Sequence, residues 1–260
     1  MSITGNSIYH ITKLDNLKSI LELKHFKINY CRETLETDVP NEYNCYAVPM
    51  VSFCDSNPDN MKEPLNSYKN YTIGLKKEWA YKNKLNPVIY LNQNSNVVSN
   101  LNILHKEIFK NTVADKLNQA EIALADLFRH IKNYKGLLIR ENDFGDIKLT
   151  ENYIFSNEKE WRYCPTIEEL AGNLFIADSI YTNDDIKNKE NYECFKKIKK
   201  SENEKISNLK LEFSIHDISA IIVTKDSERD EILSIFEDKS EFEKTVISSK
   251  IIYNTISEKN

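Results

Sequence analysis

The sequence is short of glycine, and this excludes several common kinds of phosphate-binding site. The chain has five Gly and six Pro in 260 residues, and it contains no G-x-x-x-x-G-K, G-x-G-x-x-G or G-x-S-x-G motif. P-loop, Rossmann and hydrolase-elbow sites therefore lose their main sequence support. Any nucleotide site in this chain has to be built without a glycine-rich phosphate cradle.

Cysteine and histidine are too sparse and too scattered to indicate a metal centre. The five Cys are odd in number, neither C-x-x-C nor H-E-x-x-H occurs, and no Cys and His pair has zinc-finger spacing. We therefore predict that the protein holds no metal. Free cysteines in a reducing cytoplasm are the simplest interpretation of this pattern.

Long apolar runs and an excess of basic charge are missing as well. No run approaches the ~18 apolar residues of a membrane helix, and no basic and then apolar leader is evident. We therefore expect a cytoplasmic protein without a membrane span. With 40 acidic and 35 basic residues the net charge is −5. This charge gives no global basic field for nucleic acid, although it leaves room for a local basic groove.

The residues that are present indicate a folded protein with strands near both ends. Hydrophobic residues make up 40% of the chain, which is enough for a sizeable core. Predicted strands include Ser7–Thr12, Ala47–Asp55, Tyr71–Leu75, Ala220–Thr224 and Val246–Tyr253. Because strands and helices do not alternate strictly, we predict the α+β class. We expect a single domain over residues 1–260 with a helical insertion at about residues 96–133.

Two polar segments are predicted to be loop or surface structure. The run from Cys31 to about Asn44 is acidic and polar, and we predict a loop there. The run from Asn183 to Glu204 is dense in Lys, Asn and Glu, which is typical of a solvated surface helix or loop.

The first candidate site segment lies at the start of the chain. In the predicted strand, Ile8, His10 and Thr12 share one face. Asp15 suits a helix N-cap, and apolar residues follow it at helical spacing. A buried histidine satisfied by a carbonyl is the commoner explanation of a lone strand histidine. The alternative is a functional His and Thr on a strand that leads directly into a helix.

The second candidate segment is Glu158–Tyr163, whose sequence is Glu-Lys-Glu-Trp-Arg-Tyr. As a strand it places Glu158, Glu160 and Arg162 on one face and the two aromatic residues on the other. One interpretation is an exposed charged face with an ordinary ion pair. The other is a carboxylate in a cleft, kept ionised by Arg162 or Lys159. Such a carboxylate binds a ribose hydroxyl and stabilises an oxocarbenium ion.

These segments resemble known families. Ile8-Tyr9-His10-Ile11-Thr12 looks like the opening of the DarT-type ADP-ribosyltransferases and, more broadly, the H-x-T motif of the diphtheria-toxin and PARP branch. Glu158-Lys159-Glu160 is similar to the E-x-E arrangement that places the catalytic glutamate last. The runs Pro49–Asp55, Tyr71–Trp79 and Asn86–Val88 resemble the AbiGi-type abortive phage-infection family. This second resemblance spans most of residues 8 to 224 and also includes Glu158–Arg162.

The transferase resemblance implies an ADP-ribosyltransferase-like split mixed sheet with flanking and inserted helices, and NAD bound in its cleft. It implies that Glu160, with Glu158 beside it, is catalytic, and that Glu160 binds the nicotinamide-side ribose. It further implies that His10 bonds the adenosine-side ribose, that Thr12 braces the strand and that the backbone of Ile11 holds the nicotinamide amide. The remaining residues assigned to the cofactor site on this resemblance are Ser52, Phe53 and Tyr71. Either Tyr71 or Phe53 stacks on nicotinamide, and the alternative is that both are ordinary core aromatic residues.

Three functions stay open at this point. The first is a NAD-dependent mono-ADP-ribosyltransferase toxin of an anti-phage toxin–antitoxin system, with nucleic acid such as mRNA as its target and a cognate antitoxin or other partner protein. The second is a non-enzymatic antitoxin or interaction protein of an abortive-infection system, because AbiGi-type proteins are described as antitoxins. The third is an RNA 2′-phosphotransferase, which also consumes NAD and which the H-x-T opening also suits. The chain lacks the clustered arginines that binding of a 2′-phosphate requires.

Overall fold

A computed structural model of the chain describes residues 5–36, 42–56, 71–111, 117–141, 147–182, 185, 188–236 and 246–248. The strands are β1 Ser7–Thr12, β2 His25–Lys27, β3 Asn29–Glu36, β4 Glu42–Cys54, β5 Tyr71–Lys76, β6 Asn86–Pro87, β7 Ile89–Leu91, β8 Ile131–Asn133, β9 Lys135–Glu141, β10 Ile147–Ile154, β11 Glu160–Tyr163, β12 Ile176–Thr182, β13 Lys210–Glu212, β14 Ile218–Val223 and β15 Val246–Ser248. The α-helices are α1 Leu14–Leu23, α2 Lys77–Lys82, α3 Asn96–Ile108, α4 Gln119–Arg129, α5 Lys189–Lys205 and α6 Asp226–Leu233. The α+β class is therefore confirmed.

Strand β4 organises the main sheet because it is long enough to pair with different neighbours along its length. Within the described residues the sheet has nine strands, in the order β15-β14-β5-β1-β4-β11-β6, and β3 and β12 also pair with β4. The part of β4 up to Met50 pairs with β3 and β12. The part from Val51 to Cys54 pairs with β1 on one side and β11 on the other. Cys54 lies opposite both Tyr9 and Glu160. This register brings the two candidate segments to neighbouring positions.

The core lies against both faces of β1. Ile8 and Tyr9 point to opposite faces of the strand and both are buried. Ile8 packs with Leu17 and Leu21 of α1 in the main core, whereas Tyr9 packs with Ala220 of β14 in a second cluster. The opening strand is therefore a central strand, covered on both sides, and its histidine is held rigidly.

The start of the chain folds largely as predicted, with one difference at the helix. Strand β1 has the predicted bounds and α1 follows it directly. Lys13 rather than Asp15 occupies the N-cap position, and Asp15 lies in the first helical turn. An acidic residue in that turn still stabilises the helix, because it faces the positive end of the helix dipole.

The loop predicted from Cys31 to about Asn44 is wrong at both of its ends. Residues up to Glu36 form β3, residues from Glu42 onward form the start of β4, and these two strands pair. Residues 37–41 lie outside the described residues. The prediction failed because the buried side of β3 includes Glu33, a polar residue that is buried only because Arg162 binds it. Of the predicted strand Val246–Tyr253, Val246–Ser248 is β15, and residues 249–253 lie outside the described residues.

The segment predicted as a helical insertion contains helices and, after them, the short strand β8. Helices α3 and α4 occupy it as predicted, but α4 ends at Arg129. The next residues form β8, which pairs in parallel with β7. The charged segment before residue 205 is helix α5, as one of the two interpretations predicted, and it is anchored to the core through buried Phe195. None of the described helices is long and apolar enough to cross a membrane.

Candidate active site

The two candidate segments meet at one cavity of about 280 Å³. It lies where β1, β4 and β11 run side by side, with β1 and β11 flanking the end of β4. The lining includes His10, Ser52, Phe53, Lys132, Glu158 and Glu160. His10 and Glu160 are far apart in sequence, and β4, which pairs with both of their strands, brings them to the same cavity.

His10 is held in a neutral form beside the cavity. Its Nδ1 donates a hydrogen bond to the carbonyl oxygen of Ser52 at 2.9 Å, which leaves Nε2 as the acceptor nitrogen of the neutral ring. Burial lowers the pKa of His10, and this effect outweighs the Ser52 carbonyl, which favours the charged form. The rings of Phe26 and Phe53 pack against the imidazole at centroid distances of 5.1 and 5.7 Å. His10 is therefore satisfied by a backbone carbonyl and is also part of the cavity lining.

Glu160 is buried and ionised. Its Oε1 accepts a hydrogen bond from Nε of Arg162 at 2.7 Å, and its Oε2 accepts one from Nζ of Lys132 at 2.8 Å. Burial by itself raises the pKa of Glu160, but the charges of Arg162 and Lys132 and their hydrogen bonds lower it to about 2. The carboxylate therefore stays negative at neutral pH although its residue is only 7% exposed.

Arg162 connects Glu160 to the rest of the core. The residue is 0% exposed, so the interpretation of an exposed charged face on β11 is wrong. Its Nη2 donates to Glu33 at 2.6 Å and its Nη1 to the carbonyl oxygen of Arg129 at 2.9 Å. Burial raises the pKa of Glu33 in spite of Arg162. The guanidinium is shared by β3, β11 and the end of α4.

Glu158 reaches the cavity by a different route from the predicted one. It ends a 3₁₀ turn, Phe155–Glu158, and Lys159 follows with a left-handed φ of 44°, so the predicted continuous strand is wrong here. Its carboxylate still lines the cavity, where it accepts hydrogen bonds from Lys132 at 2.9 Å and from the Tyr153 hydroxyl at 3.1 Å. The two carboxylates therefore meet at Lys132, although they are not on one strand face.

The other predicted site residues differ in whether they line this cavity, a second cavity or neither of the two. Ile11 lines the cavity with His10. Phe53 lines it too, and its ring also packs against Trp79 in the core. Thr12 lines a second cavity, where its Oγ1 accepts a hydrogen bond from Asn16 at 3.2 Å.

Tyr71 is not brought to either of these cavities. Its hydroxyl instead donates a hydrogen bond to Glu228 at 2.8 Å. The residue lies on β5, on the far side of β1 from β4, so its neighbours belong to the β14–α6 side of the sheet. This leaves Phe53 as the predicted aromatic residue at the cavity.

The second cavity adjoins the first and has a volume of about 220 Å³. Both cavities include His10, Cys31, Met50 and Ser52 in their linings. His10 and Ser52 therefore form part of a common wall, with the carboxylates on one side and α1 with β2 on the other.

Sequence reasoning missed Lys132 and Glu33, which belong to the ion network, and Tyr90, which contacts the backbone of Glu160. The Tyr90 hydroxyl accepts a hydrogen bond from the backbone N–H of Glu160 at 2.8 Å. Lys132 lies in the segment predicted as helix, and Glu33 lies in the segment predicted as loop. No local pattern indicates them, because their roles arise from pairing between segments that are far apart in the chain.

Comparison with known proteins identifies the family. A family model described as "Putative abortive phage resistance protein AbiGi, antitoxin" matches residues 24–224, which is more than half of the chain. The chain belongs to the AbiGi family. The abortive phage resistance protein AbiGi of Lactococcus lactis subsp. cremoris is 27% identical over 230 residues, covering 81% of this chain and 88% of that protein. No solved structure matches this AbiGi-family chain. The ADP-ribosyltransferase-like split sheet therefore stays a prediction.

The AbiGi family match contains the carboxylate half of the cavity but begins after β1. Glu160, Arg162 and Lys132 fall within residues 24–224, whereas His10 precedes them. The family assignment therefore rests on the part of the chain that builds the ion network. The H-x-T segment of this chain is added to that network by the pairing of β1 with β4.

Proposed function

We propose that this protein acts in anti-phage abortive infection, and that its cavity binds NAD and transfers ADP-ribose to a target molecule. The observation that carries this proposal is the meeting of His10 and Glu160. Sequence reasoning paired these two residues across about half of the chain, and they line one cavity. Membership of the AbiGi family supports the role in defence, since both the family and its Lactococcus relative are described as abortive phage resistance proteins.

The sizes of the two cavities support a ligand with two halves. The cavities have volumes of about 280 and 220 Å³, lie side by side and share His10 and Ser52 in their linings. Together they fall within the roughly 300–1,000 Å³ that is usual for small-molecule sites. NAD consists of a nicotinamide riboside half and an adenosine half joined by a pyrophosphate. In the proposed arrangement the nicotinamide riboside half lies beside Glu160 and the adenosine half lies beyond His10.

The charge of Glu160 suits the transfer reaction. The glycosidic C–N bond breaks, its electron pair leaves with nicotinamide, and positive charge develops on the ribose carbon and ring oxygen. A fixed carboxylate stabilises this charge more in the transition state than in the ground state. The acceptor atom of the target then supplies an electron pair to the ribose carbon and loses its proton.

The hydrogen bonds of Glu160 leave room for a ribose hydroxyl. A carboxylate offers roughly four acceptor positions. Arg162 donates to Oε1 at 2.7 Å and to Oε2 at 3.2 Å, and Lys132 donates to Oε2 at 2.8 Å. Counting the donors that the described residues supply, one position on Oε1 remains for a hydroxyl of the ligand.

A second candidate function is that of a non-enzymatic antitoxin. The family description names an antitoxin, and this favours a partner toxin protein. In that case Glu160 and Arg162 form a structural ion network, and the cavity has no catalytic role. The two functions differ in whether the protein consumes NAD.

The experiment uses NAD labelled in its adenylate half. Purified protein is incubated with labelled NAD and with total RNA, DNA or protein, and the transferred label and released nicotinamide are measured. We expect label in one class of macromolecule. Replacing Glu160→Gln is expected to reduce transfer by about 10²–10³-fold, as for loss of one transition-state contact. Glu168→Gln, an exposed carboxylate outside the cavity, is the matched control and should behave like the wild type.

The outcome also separates the two candidates. Absence of nicotinamide release and of label in all three classes would refute the enzyme. If the protein then protects cells from a toxic product of a neighbouring gene, and Glu160→Gln protects equally well, the antitoxin function is supported. Equal transfer by the wild type and Glu160→Gln would refute the role of Glu160.

A further inference from the structure

Two residues that face each other across the β7–β8 pair both contact Glu160. Tyr90 and Lys132 are register partners in this parallel pair. Lys132 binds the Glu160 carboxylate, and the Tyr90 hydroxyl binds the Glu160 backbone N–H. We propose that the β7–β8 pair is a clamp whose residues Lys132 and Tyr90 position the Glu160 carboxylate for its ligand. This inference rests on the proposed function for its kinetic consequences, but the clamp itself can be tested without turnover.

The Lys132 side chain joins the two cavity carboxylates. Its Nζ lies 2.9 Å from Glu158 Oε2 and 2.8 Å from Glu160 Oε2. Two carboxylates that share a site repel each other, so one of them would turn away or take up a proton without a cation between them. Lys132 therefore fixes both the direction of Glu160 and its separation from Glu158.

Lys132 is itself held in place. Its Nζ lies 4.9 Å from the centre of the Phe155 ring, and its side chain is 14% exposed. The carboxylates of Glu160, Glu33 and Glu158 raise the pKa of Lys132 well above its usual range, although burial works in the opposite direction. The ammonium group is therefore a permanent cation at the cavity wall.

Arg162 has a different role from Lys132 despite binding the same carboxylate. Arg162 is fully buried and also binds Glu33 and the Arg129 carbonyl, so it belongs to the core whether or not a ligand is present. Lys132 lines the cavity, and in the described residues the hydrogen bonds and ion pairs of its side chain go to Glu158 and Glu160, which line the cavity too. Its removal should therefore affect the orientation of Glu160 more than the assembly of the sheet.

The experiment compares Lys132→Met, Lys132→Arg and Tyr90→Phe with the control Lys135→Met. Lys135 is exposed on the neighbouring strand β9, outside the cavity. For nicotinamide release, we expect Lys132→Met to lower kcat by about tenfold to 10²-fold, as for a misplaced catalytic group. KM should stay within about twofold, because positioning acts on the transition state more than on binding. Lys132→Arg should restore part of the rate, and Lys135→Met should leave it unchanged.

The second readout is the pKa of Glu160, measured by ¹³C NMR of its side-chain carboxyl. Loss of one of its two cations should raise this pKa by about one unit in Lys132→Met, whereas Lys135→Met should leave it unchanged. If wild-type protein releases no nicotinamide, the proposed function fails and this titration still decides the clamp. An unchanged Glu160 pKa in Lys132→Met would overturn the clamp.

Tyr90→Phe keeps the inference testable if Lys132→Met does not fold. This substitution removes only the hydroxyl that accepts the Glu160 N–H. We expect a fall in kcat by a factor of about 2–10, corresponding to one misaligned hydrogen bond, with KM unchanged. In protein that releases no nicotinamide, we expect a displaced amide resonance for Glu160. No change in the measured property would overturn the clamp.

Discussion

The buried guanidinium of Arg162 supports the sharpest prediction for stability. It makes two hydrogen bonds to Glu160, at 2.7 and 3.2 Å, and one to Glu33 at 2.6 Å. A fourth goes to the carbonyl oxygen of Arg129 at 2.9 Å. Replacing Arg162→Met keeps much of the side-chain volume but leaves two carboxylates and a carbonyl without this donor. The substitution also removes the link between β3, which pairs with the first part of β4, and β11, which pairs with the end of β4.

The expected loss is large because one partner of a buried ion network is removed. Breaking a buried pair in this way costs about 3–5 kcal/mol, since the remaining charge stays buried. For a chain of this size each kcal/mol shifts the melting temperature by about 2–4 °C. We therefore expect Arg162→Met to melt about 10 °C below the wild type. Exposed ion pairs behave differently, with a typical contribution below about 1 kcal/mol.

The measurements are thermal unfolding for the melting temperature and urea unfolding for the free energy, both followed by tryptophan fluorescence. Trp161 is adjacent to Arg162 and Trp79 lies in the core, so both report on this region. The control is Lys205→Met, which breaks the exposed i,i+3 ion pair with Glu202. It should change the free energy of unfolding by less than about 1 kcal/mol. If Arg162→Met also lost less than about 1 kcal/mol of unfolding free energy, the argument that the network depends on its central cation would be refuted.

Two further substitutions test other parts of the structure. A Cβ at Gly74 would lie 2.8 Å from Cε1 of Tyr9, so Gly74→Ala should cost about 1–3 kcal/mol of unfolding free energy through overpacking; a neutral effect would show that the sheet yields there. Because burial lowers the pKa of His10 below its unfolded value of about 6.5, the unfolded state binds more protons below that pH. Stability should therefore fall as the pH drops from about 6.5 through the folded pKa, and His10→Gln should flatten this part of the stability curve. A curve of unchanged slope would contradict the burial of a neutral imidazole.

The strands predicted from sequence are mostly those with a clear apolar signal of their own. Strands β1, β5 and β14 have buried apolar residues that recur within a few positions, so local sequence is enough to indicate them. Strand β3 is different because its buried positions include Glu33. A charged residue is predicted to be exposed unless its partner is known. The partner of Glu33 is Arg162, which lies 129 residues away in the sequence.

The candidate site divides in the same way. Residue types and spacing made His10 and Glu160 candidates, and the resemblance of their two short segments to transferase motifs gave them their predicted roles. Sequence reasoning did not indicate Lys132, because that residue becomes part of the site only when β8 pairs with β7. It placed Glu158 on the wrong kind of element, since a left-handed Lys159 separates the 3₁₀ turn from β11.

By itself the amino-acid sequence determined the α+β class and selected the two segments that carry the candidate chemistry. Only the tertiary structure decided that His10 and Glu160 share a cavity, and that Tyr71 lies elsewhere. The physical reason is that short-range periodicity reports which face of an element is buried, but not what that face meets. The partners of a buried charge come from strand register and long-range pairing, and these are properties of the whole fold.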